Sequence, residues 1–337
     1  MSAVVRFAVL SDIHANLGAL DVCIARVDAL SREAGLPGRM PIIVLGDVLD
    51  SGPYPKETLD RALEVGSVFL QGNHEDYVFD YGRNPNNARY RDPLWKLVPW
   101  SYDRIGAQGV DDFRRRVVFG HAECQGRVRF FHASPDSNGR NPDFFDAQRE
   151  RVHTDANAKA PRLPEPFVGN VGSLCFAGHN HYAGLHSNPL HAGGDKEREL
   201  WVNSGSVGYP FVEKETTEPT TEPVATFVTA EVVLLERCLK VKVDFHRVQH
   251  SGAALLRAFV ETGCLAACEP FSRAILCQCY FNEDVVYPFF QRAKKQGWRQ
   301  PDLARRLGVY LRESGYAGRL DAAFAEHGLV DSGLAVR

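Results

Sequence analysis

The fold is decided by the stretch Ile42-Ile43-Val44-Leu45-Gly46-Asp47-Val48-Leu49-Asp50-Ser51-Gly52-Pro53. Its apolar run ends at Gly46, and two carboxylates three residues apart, Asp47 and Asp50, follow at once. A buried parallel strand delivers functional side chains in this way to the loop beyond its carboxyl end. The pattern therefore predicts an α/β fold whose site lies at the ends of parallel strands, with Asp47 at its centre.

Polar side chains that favour metal ions also follow other short apolar runs. The blocks are Ser11-Asp12-Ile13-His14, Gln71-Gly72-Asn73-His74-Glu75, His132-Ala133-Ser134-Pro135, Gly178-His179-Asn180-His181 and Asn203-Ser204-Gly205-Ser206-Val207-Gly208. Because the runs before them have the pattern of strands, we expect all these strand ends to meet at one site.

In these blocks the chain resembles the calcineurin-like metallophosphoesterase family, whose pattern is D-x-H, G-D-x-x-D, G-N-H-[DE], H and G-H-x-H in chain order. All of these blocks occur here in that order, each after an expected strand, across roughly the first three quarters of the chain. The resemblance implies a four-layer αββα sandwich. We expect this metallophosphoesterase domain to span residues 1–250 and a helical appendage to span residues 251–337.

Hydrophobic periodicity gives the coarse order of the elements. It predicts a first strand at residues 4–10 and helices at residues 15–34 and 55–65. The periodicity is lost at residues 76–100, where we expect a loop at the rim of the site, and helical stretches are predicted at residues 95–105 and 111–116. Near the C-terminus, helices are predicted at residues 253–262, 284–296, 301–314 and 320–327.

A two-metal centre needs oxygen and nitrogen ligands and a carboxylate that bridges both ions. Asp47 is placed for that bridge, and the resemblance implies that it joins two sets of ligands. The sets are Asp12, His14 and His181 around one ion, and Asn73, His132 and His179 around the other. Core or surface histidines and turn aspartates would explain any one of these residues alone, so the prediction rests on their order in the chain.

The resemblance also assigns roles to His74 and Asp50. In the family, the histidine at this position lies near the leaving-group oxygen as general acid, and Asp50 would keep it protonated and oriented. A metal-bound hydroxide would attack phosphorus in line, without a covalent intermediate. Some bacterial members that cleave chiefly diesters carry cysteine at this position, so His74 also permits monoester cleavage.

Phosphate recognition is an open question from the sequence. Serine/threonine protein phosphatases carry arginines at the positions of Ser51 and Gln71, so their phosphate-gripping pair is missing here. This absence argues against protein phosphatase activity and requires other arginines. The candidates are Arg83, Arg89, Arg91 and Arg140, although surface arginines are usually only solvated.

Composition places the chain among ordinary globular proteins. It has 337 residues, of which 44% are hydrophobic and 24% charged. The formal net charge of -3 gives no basic field, so nucleic acid is not expected as the main partner. The sequence shows no signal peptide and no membrane-spanning run, so we expect a cytoplasmic location and no membrane partner. Nothing in it indicates the oligomeric state.

The eight cysteines are expected to be thiols in a reducing compartment. Cys264, Cys268, Cys277 and Cys279 lie close together in the sequence, which suits either a structural zinc site or hydrophobic packing. Packing is favoured, because no CxxC pair is present and free cysteine is among the most buried residue types.

The sequence therefore predicts a metal-dependent phosphoric ester hydrolase that acts on a small phosphodiester or phosphomonoester. Two divalent ions are expected, with Mn²⁺ first and iron, zinc, nickel or cobalt also compatible with the ligand set. The alternatives are a protein or dinucleoside polyphosphate phosphatase, and a non-catalytic scaffold of the same fold. All the ligands and His74 are present, which argues against the scaffold.

Overall fold

The computed structural model of the protein describes residues 4–154, 162–189, 198–212 and 222–329. Eleven strands in these residues form two β-sheets. The strands are β1 (Val4–Leu10), β2 (Ile42–Val44), β3 (Gly66–Phe69), β4 (His121–Cys124), β5 (Val128–Phe131), β6 (Phe167–Val171), β7 (Ser173–Ala177), β8 (Gly184–Pro189), β9 (Arg198–Asn203), β10 (Val224–Leu234) and β11 (Leu239–Gln249).

In each sheet, the strands that precede motif blocks include three neighbouring parallel strands. The six-stranded sheet has the order β3-β2-β1-β10-β11-β6, and β1, β2 and β3 run parallel. The five-stranded sheet has the order β4-β5-β7-β9-β8, and β5, β7 and β9 run parallel. The loops that follow these strands therefore leave each sheet at the same edge.

From Phe7 onward the strand β1 is buried on both faces, which explains the continuous apolar sequence of its second half. Successive side chains of a strand point to opposite faces. Phe7 packs between the sheets, with its ring centroid 5.6 Å from those of Phe130 and Phe176. Ala8 and Leu10 lie in a second hydrophobic cluster with the outer helices. One strand thus joins two layers of the core.

Helices cover the outer faces of the two sheets. The six in the first part of the chain are α1 (Leu17–Glu33), α2 (Pro55–Val65), α3 (Asn73–Arg83), α4 (Leu97–Ile105), α5 (Ala107–Arg114) and α6 (Asp143–Thr154). Leu20, Ile24 and Val27 of α1 pack on the six-stranded sheet. Phe145 of α6 packs with Trp201 of the five-stranded sheet. The expected four-layer order of helix, sheet, sheet and helix is confirmed.

The C-terminal part of the chain is helical, also as expected. Its helices are α7 (Gly252–Glu261), α8 (Cys264–Ala267), α9 (Phe271–Phe281), α10 (Val286–Lys295), α11 (Leu303–Glu313) and α12 (Tyr316–Glu326). They share one hydrophobic cluster, in which the four clustered cysteines are buried as free thiols. That environment agrees with the favoured interpretation, hydrophobic packing. Whether this part is a separate domain from residue 251 stays a prediction.

Several element bounds differ from the expectation, and two of these differences lie next to the motif blocks. The helix α1 begins at Leu17, two residues later than predicted, because Asn16 caps it and accepts a hydrogen bond from Ala19 N at 3.2 Å. The predicted loop over residues 76–100 was wrong in its first part, because α3 runs through to Arg83, whereas α4 (Leu97–Ile105) lies within the predicted helical stretch at residues 95–105. Val78 and Phe79 are buried in the core, so tertiary packing stabilises α3 despite its polar sequence.

Among the described residues, no helix has the length and apolar character that crossing a membrane requires.

Candidate metal centre

Hydrogen bonds between main-chain groups tie the loops of the motif blocks to one another. Asp12 N donates to Gly46 O at 3.0 Å, and His14 N donates to Asp47 O at 2.9 Å. In the other sheet, Gly178 N donates to His132 O at 2.8 Å. These bonds hold together loops that are far apart in the sequence, so the side chains on them meet at one place.

The first group of side chains consists of Asp12, His14 and His181. His181 Nε2 lies 3.3 Å from Asp12 Oδ1, and the Nε2 atoms of His14 and His181 are 3.2 Å apart. All three side chains are buried. The three candidate ligand atoms lie close enough together to bind one ion.

The second group consists of Asp47, His132 and His179, with Asn73 beside it. His132 Nε2 lies 3.3 Å from Asp47 Oδ2 and 3.1 Å from Asn73 Oδ1. Asp47 Oδ2 also lies 3.8 Å from Nε2 of His14 in the first group. Asp47 therefore lies between the two groups, in the position that a bridging carboxylate requires.

Hydrogen bonding at His132 prepares its other ring nitrogen for a metal. Nδ1 lies 2.9 Å from the carbonyl oxygen of Leu45, which only accepts hydrogen bonds, so Nδ1 carries the proton. In the neutral ring, Nε2 then presents a lone pair toward Asp47 and Asn73. Metal-binding histidines are commonly oriented through their other nitrogen in this way.

Buried polar atoms without partners test whether the residues fit a metal. Asp12 Oδ1 is buried and accepts no hydrogen bond from any described residue, although it points at the histidines. Most buried polar atoms in proteins have a partner, so this arrangement is costly by itself. A cation between the carboxylate and imidazole groups would supply the missing interaction, and the oxygen and nitrogen donors suit a divalent ion.

The electrostatics favour the protonation states that metal ligands need at His14, His179 and Asp47. Burial, followed by the nearby His132, lowers the pKa of His179 to about 3. Burial likewise lowers the pKa of His14. Burial opposes ionisation of Asp47, but His132 and His74 outweigh it and hold the pKa of Asp47 well below its usual range. The site thus combines a charged Asp47 carboxylate with neutral His14 and His179 rings. Burial disfavours the charged ring of His132, but Asp47 outweighs it and raises the pKa of His132 to about 9, so a metal ion would have to displace that proton.

His74 lies beside the two groups and is bonded to Asp50. His74 Nδ1 is 2.9 Å from Asp50 Oδ2, whereas its Nε2 is 4.0 Å from Asp47 Oδ2. Burial disfavours the charged ring, but the carboxylates of Asp47 and Asp50 outweigh burial and raise the pKa of His74 to about 9. The side chain keeps 21% of its surface exposed, so a protonated His74 faces the adjoining cavity.

Glu75 holds together two of the loops that carry the candidate ligands. No role was assigned to it from the sequence. Its two carboxylate oxygens accept hydrogen bonds from the main-chain N–H groups of Asp47, Val48, Leu49 and Gly72, at 2.7 to 3.1 Å. Burial, followed by the charge of Asp47, raises the pKa of Glu75. The available signal was its place three residues after Gly72, where an acidic side chain can accept from the main-chain N–H group of the residue before a helix.

Glycines permit the close approach of the loops. A Cβ atom on Gly72 would lie 2.1 Å from Asp47 Oδ1, and one on Gly178 would lie 1.9 Å from Ser11 Oγ. Several of the site residues have left-handed backbone, which is uncommon outside glycine. They are Asp12, His14, Asp47, Asp50, His179 and His181, with φ between 50° and 70°.

The turn that begins at Asn203 supports the site without contributing a predicted ligand, as expected. Ser206 Oγ donates to Asp12 O at 2.8 Å, and Asn203 Nδ2 donates to Gly178 O at 2.8 Å. Farther along, Tyr209 stacks on His14 with ring centroids 4.6 Å apart, and Phe211 stacks on His181. The turn and these rings hold the first group in place.

A cavity of about 170 Å³ adjoins the two groups. Asp47, Asn73 and His74 contribute to one part of its lining. Side chains of the C-terminal helices α9 and α10 also line it, among them Phe271 and Val286. The C-terminal part of the chain therefore shapes the space in which a ligand of the metal centre would lie.

The four arginines suggested for phosphate binding lie elsewhere. None of them is among the residues that line this cavity, and all four are exposed. Arg89 packs its guanidinium over the Trp95 ring, 4.2 Å from the centroid. Binding of substrate by these arginines stays a prediction. The cavity is lined instead by Arg149, which the sequence analysis did not single out.

Comparison with known proteins agrees with the geometry. The sequence profile of the family described as calcineurin-like phosphoesterase matches residues 5–183. The chain therefore belongs to this family of metal-dependent phosphoester hydrolases. It is 26% identical over 213 residues to "Uncharacterized protein MJ0912" of Methanocaldococcus jannaschii, a match that covers 60% of this chain and 76% of that protein.

A solved metallophosphoesterase structure has the same fold. A metallophosphoesterase from Sphaerobacter thermophilus superposes with a TM-score of 0.50 at 19% identity, covering 82% of this chain and 99% of that one. Hypothetical protein PH1004 from Pyrococcus horikoshii OT3 gives a TM-score of 0.49 at 17% identity, covering 82% of this chain and 98% of that one.

Proposed function

We propose that this chain is a binuclear-metal phosphoesterase that hydrolyses small phosphodiesters, phosphomonoesters or both. The observation that carries the proposal is the place of Asp47 between two groups of ligand-type side chains. Two divalent ions held there would polarise a water toward phosphorus and neutralise charge on the phosphoryl oxygens. Mn²⁺ is the ion that we expect first. Iron, zinc, nickel or cobalt also fit, since nitrogen and oxygen ligands discriminate poorly between such ions.

The chain's own residues supply the remaining steps. Asp12, His14 and His181 would hold one ion, while Asn73, His132 and His179 would hold the other, and Asp47 would bind both. His74, kept protonated by Asp50, would donate a proton to the leaving-group oxygen, because its ring faces the cavity. The cavity size favours a small substrate over a protein.

Metal content and turnover together test this proposal. The purified protein should contain close to two equivalents of divalent metal, and chelation should abolish activity that Mn²⁺ then restores. Turnover on bis(4-nitrophenyl) phosphate and on 4-nitrophenyl phosphate would separate diester from monoester cleavage. A protein that binds no metal and cleaves neither compound would instead be the non-catalytic scaffold.

A further inference from the structure

Arg149 of α6 lines the same cavity as the candidate ligands and His74. It lies outside every sequence block that resembles the family. The positions at which protein phosphatases carry phosphate-binding arginines are Ser51 and Gln71 here, so a guanidinium group for the substrate has to come from another element. Arg149 brings one to the cavity.

The guanidinium group of Arg149 is fixed by the C-terminal part of the chain. Its Nε and Nη2 atoms lie 3.0 and 2.9 Å from Asp284 Oδ2, and its Cζ atom lies 4.1 Å from the centroid of the Tyr287 ring. The Asp284 side chain is almost fully buried, at 1% exposure. A planar guanidinium held along one edge and one face loses little freedom when it binds an anion.

The opposite edge of the group remains available. The ion pair uses Nε and Nη2, and Nη1 of Arg149 makes no hydrogen bond with any described residue. Gln278, which also lines the cavity, presents a donor as well, because its Oε1 already accepts from Val285 N and Val286 N at 3.0 and 2.8 Å. The NH₂ group of Gln278 therefore remains to donate to a ligand. Both polar groups therefore offer donors, which suit an anionic ligand.

We propose that Arg149 binds an oxygen of the substrate phosphoryl group and that Asp284 is the positioning residue that holds it in place. This inference rests on the proposed function, and it adds the group that recognises the substrate. It also gives the C-terminal helices a role, because the carboxylate that orients Arg149 is supplied from residue 284, between α9 and α10.

Binding of inorganic phosphate to the full-length, Mn²⁺-loaded protein tests the role of Arg149. Calorimetric titration should show phosphate affinity at least 10-fold weaker in Arg149→Gln than in the wild type, and an intermediate loss in Arg149→Lys, which keeps the charge but not the planar fork. Arg151→Gln is the matched control, because Arg151 lies on the same helix and is exposed. Metal content should be the same in all variants.

The outcomes separate this inference from the proposed function. If Arg149→Gln binds phosphate as tightly as the wild type, the inference is overturned, while hydrolysis of bis(4-nitrophenyl) phosphate by the wild type would leave the proposed function standing. If the wild type cleaves no phosphoester, the proposed function falls, and the phosphate titration still reports on Arg149. A wild type that binds no phosphate overturns the inference.

A double-mutant cycle tests Asp284. Asp284→Asn should raise KM more than it lowers kcat and should weaken phosphate binding. In the Arg149→Gln background the same change should have little further effect, because a positioning residue acts through its partner. An equal loss in both backgrounds would show that Asp284 has only a general structural role and would overturn this part of the proposal.

Discussion

At the level of single residues, Asp47 and Glu75 have different roles in the candidate metal centre. Asp47 points its carboxylate between the two groups of ligand-type side chains. Glu75 accepts hydrogen bonds from main-chain N–H groups of the loop that carries Asp47 and from that of Gly72 in a neighbouring loop. Asp47 therefore points toward the candidate metal positions, while Glu75 fixes the loop that carries Asp47.

The sequence was sufficient to predict that the seven ligand candidates meet, because each follows a strand in a recognisable order. The sequence could not predict the structural role of Glu75, because that role depends on four main-chain donors from two separate loops. Nor could it give the place of Arg149, which depends on an ion pair with a residue 135 positions away. Local patterns carry no information on such long-range contacts.

Replacing His74 by alanine should separate proton donation from metal binding. We expect kcat to fall by roughly 10²- to 10⁴-fold, the usual contribution of a general acid, while metal content stays unchanged. Activity assays and elemental analysis check both quantities. His121→Ala is the control, because His121 is exposed on β4 and should leave both unchanged. Loss of metal from His74→Ala in step with activity would make His74 a ligand instead.

Replacing Glu75 by glutamine should lower the free energy of unfolding by roughly 3 kcal/mol or more. An amide has one NH₂ group, which would face two main-chain N–H donors whichever way it is turned. Urea denaturation in the presence of a chelator measures the effect without a contribution from bound metal. Glu64→Gln is the exposed control and should change stability by less than about 0.5 kcal/mol. Similar values for both variants would contradict the role of Glu75.

Among the elements, α9 shows where hydrophobic periodicity fails. Nine of its eleven residues are buried, so the helix has no polar face and no amphipathic pattern to detect. The strand β1 and the helix α2 were predicted with their observed bounds, because β1 ends at a clear polar block and Pro55 opens α2 at its first turn. Hydrophobic periodicity is informative where a helix has one buried face and one exposed face. The helix α9 has no exposed face.

The residue that follows β11, His250, should make stability depend on pH. It is 6% exposed, and burial lowers its pKa from about 6.5 to about 4. Between these values the unfolded chain binds a proton that the folded chain does not, so stability is full above pH 6.5 and falls as the pH decreases. We expect a loss of about 2 kcal/mol at pH 5 relative to pH 7.

Urea denaturation of the wild type and His250→Gln at pH 7, 6 and 5 isolates this contribution. Glutamine stays neutral over the whole range, so the difference in the free energy of unfolding between the two proteins should shrink or change sign as the pH falls. Other buried histidines affect both proteins alike. Parallel pH profiles would show that His250 does not titrate in this way.

On the scale of the whole molecule, the C-terminal helices share their core with the sandwich. Their hydrophobic cluster contains Leu94, Leu97, Tyr209 and Phe211 from earlier parts of the chain. Arg104 of α4 also donates to Thr262 O at 2.6 Å. A sequence pattern shows where composition changes, near residue 250, but it does not show how much surface two segments bury against each other.

We therefore expect the chain to unfold in one transition. Calorimetry should give a van't Hoff enthalpy equal to the calorimetric enthalpy, as for a two-state unit. Leu97→Ala should lower the stability of the whole chain by about 2 to 5 kcal/mol, because Leu97 is only 1% exposed. Leu235→Ala, at an exposed position, serves as the control. Two resolved transitions would show that residues 251–337 are an independent domain.

The left-handed backbone of the site residues bears on protein engineering. Each such residue costs about 1 to 3 kcal/mol, which the rest of the fold has to offset. Glycine or asparagine adopts this conformation more easily than histidine, so selection for heat tolerance alone would favour replacements such as His179→Gly. A directed-evolution campaign aimed at thermostability would therefore remove side chains of the candidate metal centre unless every round also selects for turnover.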